Sequence, residues 1–181
     1  IALFIEIGTG PITYLNEKSA KYVTPLAEQI GAPIIAPLDV QDPGQQDALF
    51  ATIKETWGQL DFLIHAVAFA PKDDLHGRVV DCSASGFAKA MDISCHSFMR
   101  LCRAAEPLMA DNENGGSMIT LSYYGAEKVV ENYNLMGPVK AALEASMRYM
   151  AHELGEHKIR VNALSTGPVA TRAASGLSHF D

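Results

Sequence analysis

Leu60-Asp61-Phe62-Leu63-Ile64-His65-Ala66-Val67-Ala68-Phe69-Ala70 is the most apolar stretch of the chain, and its reading decides the fold. It is too short for a membrane span, which needs about 20 apolar residues. It also lacks an alternating polar face, so it suits a central strand of a parallel sheet covered on both sides. Working outward, helical and extended segments alternate. On the N-terminal side, Gln45 to Trp57 reads as a helix with Leu49, Ile53 and Trp57 four apart, closed by Gly58. Pro33 to Leu38 is a short buried strand ending in Asp39-Val40. Ser19 to Ile30 is a helix with Ala20, Val23, Ala27 and Ile30 on one side, stopped by Gly31. Residues 1 to 12 form an apolar strand ending in Gly8-Thr9-Gly10-Pro11. An ordinary turn fits that end better than a phosphate loop, because Pro11 removes an amide and no third glycine follows at the fingerprint spacing.

On the C-terminal side, residues 71 to 83 are polar and read as a loop. Ser85 to Met109 reads as one long helix, interrupted or kinked near Pro107. Gly115-Gly116 turns the chain into a strand over Ser117 to Ser122. Asn134 to Leu154 is a further helix, with Pro138 tolerated in its first turn. Ile159 to Leu164 is a last strand, after which Ser165-Thr166-Gly167-Pro168 opens a loop. The alternation predicts an α/β fold, a Rossmann-like doubly wound parallel sheet in a single domain. A chain of 181 residues, 48% hydrophobic, is large enough for such a core.

The net charge of −7 argues against nucleic acid or an anionic membrane as partner. Cys82, Cys95 and Cys102 have neither zinc-site spacing nor an even count for a disulfide framework, so a reducing cytoplasm is expected. No run of about 18 apolar residues and no signal-peptide pattern is present. His152 and His157 are five apart where a helical zinc motif needs four, so no metal is expected.

In doubly wound sheets ligands bind outside the carboxyl ends of the strands. That edge would carry Asp39-Val40, His65 to Phe69, Ser122-Tyr123 and Ser165 to Val169 beside Tyr133 and Lys140. Tyr133 and Lys140 are seven apart, which on one helix stacks them on one face roughly 10 Å apart along the axis. The Lys140 charge is then expected to lower the Tyr133 phenol pKa, making it a proton donor near neutral pH.

Several motifs in fixed order carry a resemblance. They are Leu60 to Ala66 with Phe69-Ala70-Pro71, Met91-Asp92-Ile93-Ser94, Ser122-Tyr123-Tyr124-Gly125-Ala126-Glu127, Tyr133-Asn134-Leu135-Met136-Gly137, Lys140 to Ala145, Arg160-Val161-Asn162-Ala163 and Gly167-Pro168. Through Tyr133-x6-Lys140 the chain resembles the short-chain dehydrogenase/reductase superfamily, and within it the bacterial enoyl-acyl-carrier-protein reductases. Alcohol and carbonyl reductases of the superfamily usually carry an Asn-Asn-Ala-Gly-like turn after the fourth strand and a Ser thirteen residues before the Tyr. Here His65-Ala66-Val67-Ala68 and Thr120 stand at those places, and a second tyrosine, Tyr123, lies ten before Tyr133. That arrangement favours C=C over C=O reduction.

The resemblance implies hydride transfer from NADH to a 2-enoyl thioester borne by acyl carrier protein, in fatty acid synthesis. It makes Tyr133 the donor to the thioester oxygen, Lys140 the holder of the nicotinamide ribose, and Tyr123 a lining or assisting group. Cofactor contacts fall on Leu15, Asp39, Val40, Ala66, Val67, Ala68, Leu121, Lys140, Gly167, Pro168, Val169 and Thr171. Substrate contacts fall on Phe69, Ala70, Tyr123 and Met136. The choice of NADH rests on the resemblance, since Leu15-Asn16 puts no acidic residue at the strand tip and Lys18 leaves NADPH open. The two long helices are expected to pair into a homotetramer. Relative to the family, the N-terminal glycine-rich unit and the C-terminal tail are absent from the sequence. A carbonyl or alcohol reductase, and a catalytically silent oligomer-forming fragment, are the competing expectations.

Overall fold

The computed structural model describes residues 10–167. Its elements run β1 (Ile12–Tyr14), α1 (Glu17–Gln29), β2 (Ile35–Pro37), α2 (Pro43–Trp57), β3 (Phe62–His65), α3 (Lys72–His76), α4 (Ala84–Met91), α5 (Ser97–Met109), β4 (Gly116–Tyr123), α6 (Met136–Leu154) and β5 (Ile159–Thr166). Every strand pairing is parallel. β1 pairs with β2, and β3, β4 and β5 form a second ladder in that order. Of the apolar strand expected over residues 1 to 12, residues 1 to 9, including Gly8 and Thr9 of its closing turn, lie outside the described residues.

Burial alternates along β4: Gly116, Met118, Thr120 and Ser122 are buried, whereas Ser117, Ile119, Leu121 and Tyr123 are partly exposed. The register sets Leu63 beside Met118 and His65 beside Thr120, with Val161 next to Met118 on the other side. This layer packs on α5 and α6 and joins Phe98, Leu101, Val139 and Leu143 in the core. Phe62 and Ile64, on the opposite face of β3, are only half-buried. The paired part of the apolar stretch is four residues long, because the chain leaves the sheet after His65.

Local chemistry accounts for the helix ends. Asn16 caps α1 by accepting the Lys18 and Ser19 amides, and the Ser19 hydroxyl accepts the Asn16 N–H. Asp42 caps α2, and Gly58 closes it at φ +73°, a conformation open to glycine at little cost. The apolar face expected of α1 is only partly realised: Ala27 is buried, but Ile30 is 60% exposed. Among the described residues this helix rests on the two short strands β1 and β2.

Two further expectations are corrected. The loop over residues 71 to 83 contains α3 and a short 3-10 turn at Val79–Asp81. The long helix continues through Pro107 to Met109, and its irregularity lies upstream in a wide π-type turn at Asp92–His96. Pro107 sits in the last turn of α5, where it costs one hydrogen bond and does not break the helix.

Candidate active site

The parallel arrangement brings the carboxyl ends of β3, β4 and β5 to one edge. β4 delivers Leu121, Ser122 and Tyr123 there, and a 3-10 turn at Tyr124–Ala126 starts the connection to Tyr133. Tyr133 does not lie on α6, contrary to the expected helical face. It stands in a turn between Asn132 at φ +63° and Asn134 at φ +41°, and α6 begins at Met136. Asparagine tolerates that left-handed backbone better than other residues with a side chain. The Tyr133 amide donates to the Val130 carbonyl, and Asn134 Nδ2 donates to Leu75 O at 2.8 Å, tying the turn to α3.

The Tyr133 and Tyr123 rings meet at 4.8 Å between centroids, tilted by 60°. Gly125 makes this possible: a Cβ there would lie 2.3 Å from Tyr133 Cδ1 and 2.8 Å from Cε1. Burial, reinforced by Tyr123, pushes the Tyr133 phenol above its ordinary range. The expected lowering by Lys140 is therefore reversed, and Tyr133 keeps its O–H as a hydrogen-bond donor at physiological pH.

Lys140, in the second turn of α6, is buried and donates from Nζ to the Leu121 carbonyl at 2.5 Å. An ammonium has three donors, and among the described residues only this one is taken. Burial lowers its pKa to about 8, a shift that neighbouring Cys95 and Glu144 oppose. One turn further along α6, Glu144 accepts the Ser122 hydroxyl.

Beneath this edge lies a polar cluster the motifs did not reveal. His65 is 1% exposed, with Nδ1 2.8 Å from Thr120 Oγ1 and Nε2 2.8 Å from Ser97 Oγ. Ser97 donates its own proton to the Ile93 carbonyl, so it accepts from His65, which fixes the neutral Nε2–H tautomer. Burial first, then Lys140, drives the imidazole pKa down to about 3. Thr120, at the position where carbonyl reductases carry a serine, is thus spent in the core, and Tyr123 occupies the site edge. A lone histidine inside so apolar a strand was the available signal, since a buried imidazole requires partners.

The other expected contacts are distributed along the edge. Leu15 is half exposed just past β1, Asp39 accepts the Gln41 amide, and Val40 is buried with its carbonyl taken by Gln46 and Arg100. Ala66 and Val67 are half-buried past β3, whereas Ala68 and Phe69 are exposed and Ala70 is half-buried. Met136 is 6% exposed and belongs to the core, so as expected substrate surface it offers little area. Gly167 is exposed at the end of β5; Pro168, Val169 and Thr171 lie outside the described residues. A cleft of about 390 Å³ beside Tyr133 is lined by Val79, Gly125, Ala126, Val130 and Asn134. Among the described residues no group of three or more potential metal ligands occurs.

The sequence profile of the enoyl-(acyl carrier protein) reductases matches residues 11–181. The chain belongs to this family. It is 53% identical over 168 residues to the NADH enoyl-acyl-carrier-protein reductase FabI of Rickettsia felis, covering 93% of this chain and 64% of that protein. The FabI of Synechocystis is 48% identical over 175 residues, 95% of this chain and 66% of that protein. Among solved structures, the reductase of Anaplasma phagocytophilum, in complex with NAD, superposes with a TM-score of 0.81 at 54% identity, covering 86% and 59% of the two chains. The NADH reductase of Aquifex aeolicus gives 0.88 at 44% identity, covering 94% and 65%. The enoyl reductase family thus accounts for the Rossmann-type fold, while this chain spans under two thirds of the length of the Rickettsia relatives.

Proposed function

We propose that the protein is an NADH-dependent enoyl-acyl-carrier-protein reductase of fatty acid synthesis, working in the cytoplasm as a homotetramer. The observation that carries this reading is the Tyr123–Tyr133 ring pair at the head of β4, with Thr120 withdrawn into the His65 cluster. Lys140 suits the nicotinamide ribose, because a buried ammonium with two donors unspent among the described residues matches a pair of neighbouring hydroxyls. NADH, when bound, supplies the hydride that reaches the β-carbon of the enoyl thioester. Tyr133 donates a hydrogen bond to the thioester oxygen as negative charge develops there. Tyr123 buttresses that phenol, and Phe69 and Ala70 offer the acyl wall. A groove of about 620 Å³ between α5 and α6, with Tyr149 73% exposed, supports self-association of those helices. Among the described residues no helix is long and apolar enough to cross a membrane.

Calorimetric titration of the full-length protein with NADH tests the nucleotide role. Lys140→Ala is expected to weaken binding about tenfold or more, the usual cost of hydrogen bonds from a charged donor. Affinity should also fall as pH rises through about 8, where the ammonium is lost. Absence of binding heat from folded protein would overturn the enzyme reading. Gly125→Ala, which forces the Tyr133 ring aside, is expected to lower turnover about tenfold through misplacement of the donor. Unchanged steady-state turnover would show that the ring pair does not set the donor's position.

A further inference from the structure

At Asp92–His96 the Ser97 N–H reaches back five residues to the Asp92 carbonyl. The Ile93 carbonyl, whose regular partner would be that amide, accepts the Ser97 hydroxyl instead, at 2.6 Å. Such wide turns inside α-helices are rare and gather at functional sites. This one reaches two separate strand ends.

Ser94 is fully buried; its hydroxyl accepts the Phe69 N–H at 2.8 Å and donates to the Phe69 carbonyl at 2.9 Å. Phe69 lies beyond the last ladder pair of β3, so Ser94 supplies both bonds that a neighbouring strand would have given. Asp92 takes Arg100 Nη1 on Oδ1 at 2.6 Å and Gln41 Nε2 on Oδ2 at 2.8 Å. Arg100 Nη2 continues to the Val40 carbonyl at 2.7 Å. The loops leaving β2 and β3 are therefore fastened by side chains of one turn and its neighbour Arg100, through routes that share no hydrogen bond.

We propose that this turn is a two-armed positioning device: Ser94 sets the Phe69 segment against which the acyl group binds, and Asp92 with Arg100 sets the Val40 loop for the adenosine end of the nucleotide. The identity of the two ligands rests on the reductase reading; the two fastenings do not. Ser94, Asp92 and Arg100 act through Phe69 and Val40 and touch neither ligand.

Ser94→Ala and Arg100→Lys separate the arms. Alanine suits a helix, and lysine keeps the charge while losing the planar fork that spans Asp92 and Val40. In the full-length protein, Ser94→Ala is expected to raise KM for crotonyl thioester about tenfold, with the Kd for NADH within about twofold of the parent. Arg100→Lys is expected to raise the Kd for NADH by a similar factor and leave the thioester KM within about twofold. Movement of both constants together in either variant, or of neither, would overturn the proposal. If the parent binds no NADH and reduces nothing, the reductase reading fails, and hydrogen exchange still decides on the fastenings. Faster exchange confined to residues 67 to 71 in Ser94→Ala and to 39 to 42 in Arg100→Lys supports them; loosening of both segments in either variant overturns them.

Discussion

On the proposed function, Tyr133→Phe is expected to lower turnover of the full-length protein about hundredfold, the usual cost of losing one oxyanion donor, about 3 kcal/mol. The substitution removes one oxygen and keeps the ring, so the contact with Tyr123 at 4.8 Å persists and the turn between Asn132 and Asn134 is undisturbed. Because burial holds the phenol above its ordinary range, the group is a neutral O–H at any pH where the protein is assayed. In the proposed reaction its contribution is a hydrogen bond that strengthens as charge gathers on the thioester oxygen, which touches turnover and not nucleotide affinity. Lys140 is anchored separately on the Leu121 carbonyl, so the NADH Kd of Tyr133→Phe should stay within about twofold of the parent. Steady-state kinetics beside calorimetry checks this; an equal loss of nucleotide binding would contradict the roles assigned.

A second large effect belongs to His65 and to stability. The unfolded imidazole titrates near 6.5 and the folded one at about 3, so the folded state binds fewer protons between those values. Stability contributed by the neutral histidine is fully present above 6.5 and is lost as pH falls through the window to about 3. Linkage puts the whole loss at roughly 4 to 5 kcal/mol, near 1.4 kcal/mol per pH unit. Urea denaturation at several pH values between about 7 and 4.5 measures it, since carboxylates contribute mainly below that range. His65→Gln should be less stable at about pH 7, having lost part of the Thr120 and Ser97 pairing, yet show a shallower decline. Identical slopes for parent and variant would show that His65 does not govern the acid response.

Much of this architecture was legible in residue order. The strand ends at Asp39-Val40, Ala66 to Phe69 and Tyr123 could be placed because each follows an apolar run, and parallel pairing gathers the ends of β3, β4 and β5 at one edge. What stayed hidden depends on contacts between distant segments. Seven-residue spacing suggests one helical face for Tyr133 and Lys140, but two left-handed asparagines put Tyr133 ahead of the helix. Pro107 looked like the place for a kink, whereas the irregular turn formed at Asp92–His96, where Ser94 and Ser97 bond to Phe69 and His65. The direction of the Tyr133 shift could not be read either. It turns on how deeply the phenol is buried and on Tyr123 beside it, both of which need the fold. Gly125 sits in the Ser122 to Glu127 motif, but only the Tyr133 ring at its face explains why a side chain is excluded.

The reduction of an enoyl thioester is tested most directly by following the hydride. The full-length protein would be given NADH deuterated at its transferable position, with equal amounts of crotonyl and acetoacetyl thioesters, and the products read by mass spectrometry. The two-tyrosine site predicts deuterium on the β-carbon of butyryl thioester. Deuterium on the carbinol carbon of hydroxybutyryl thioester, or no transfer to either, would contradict it.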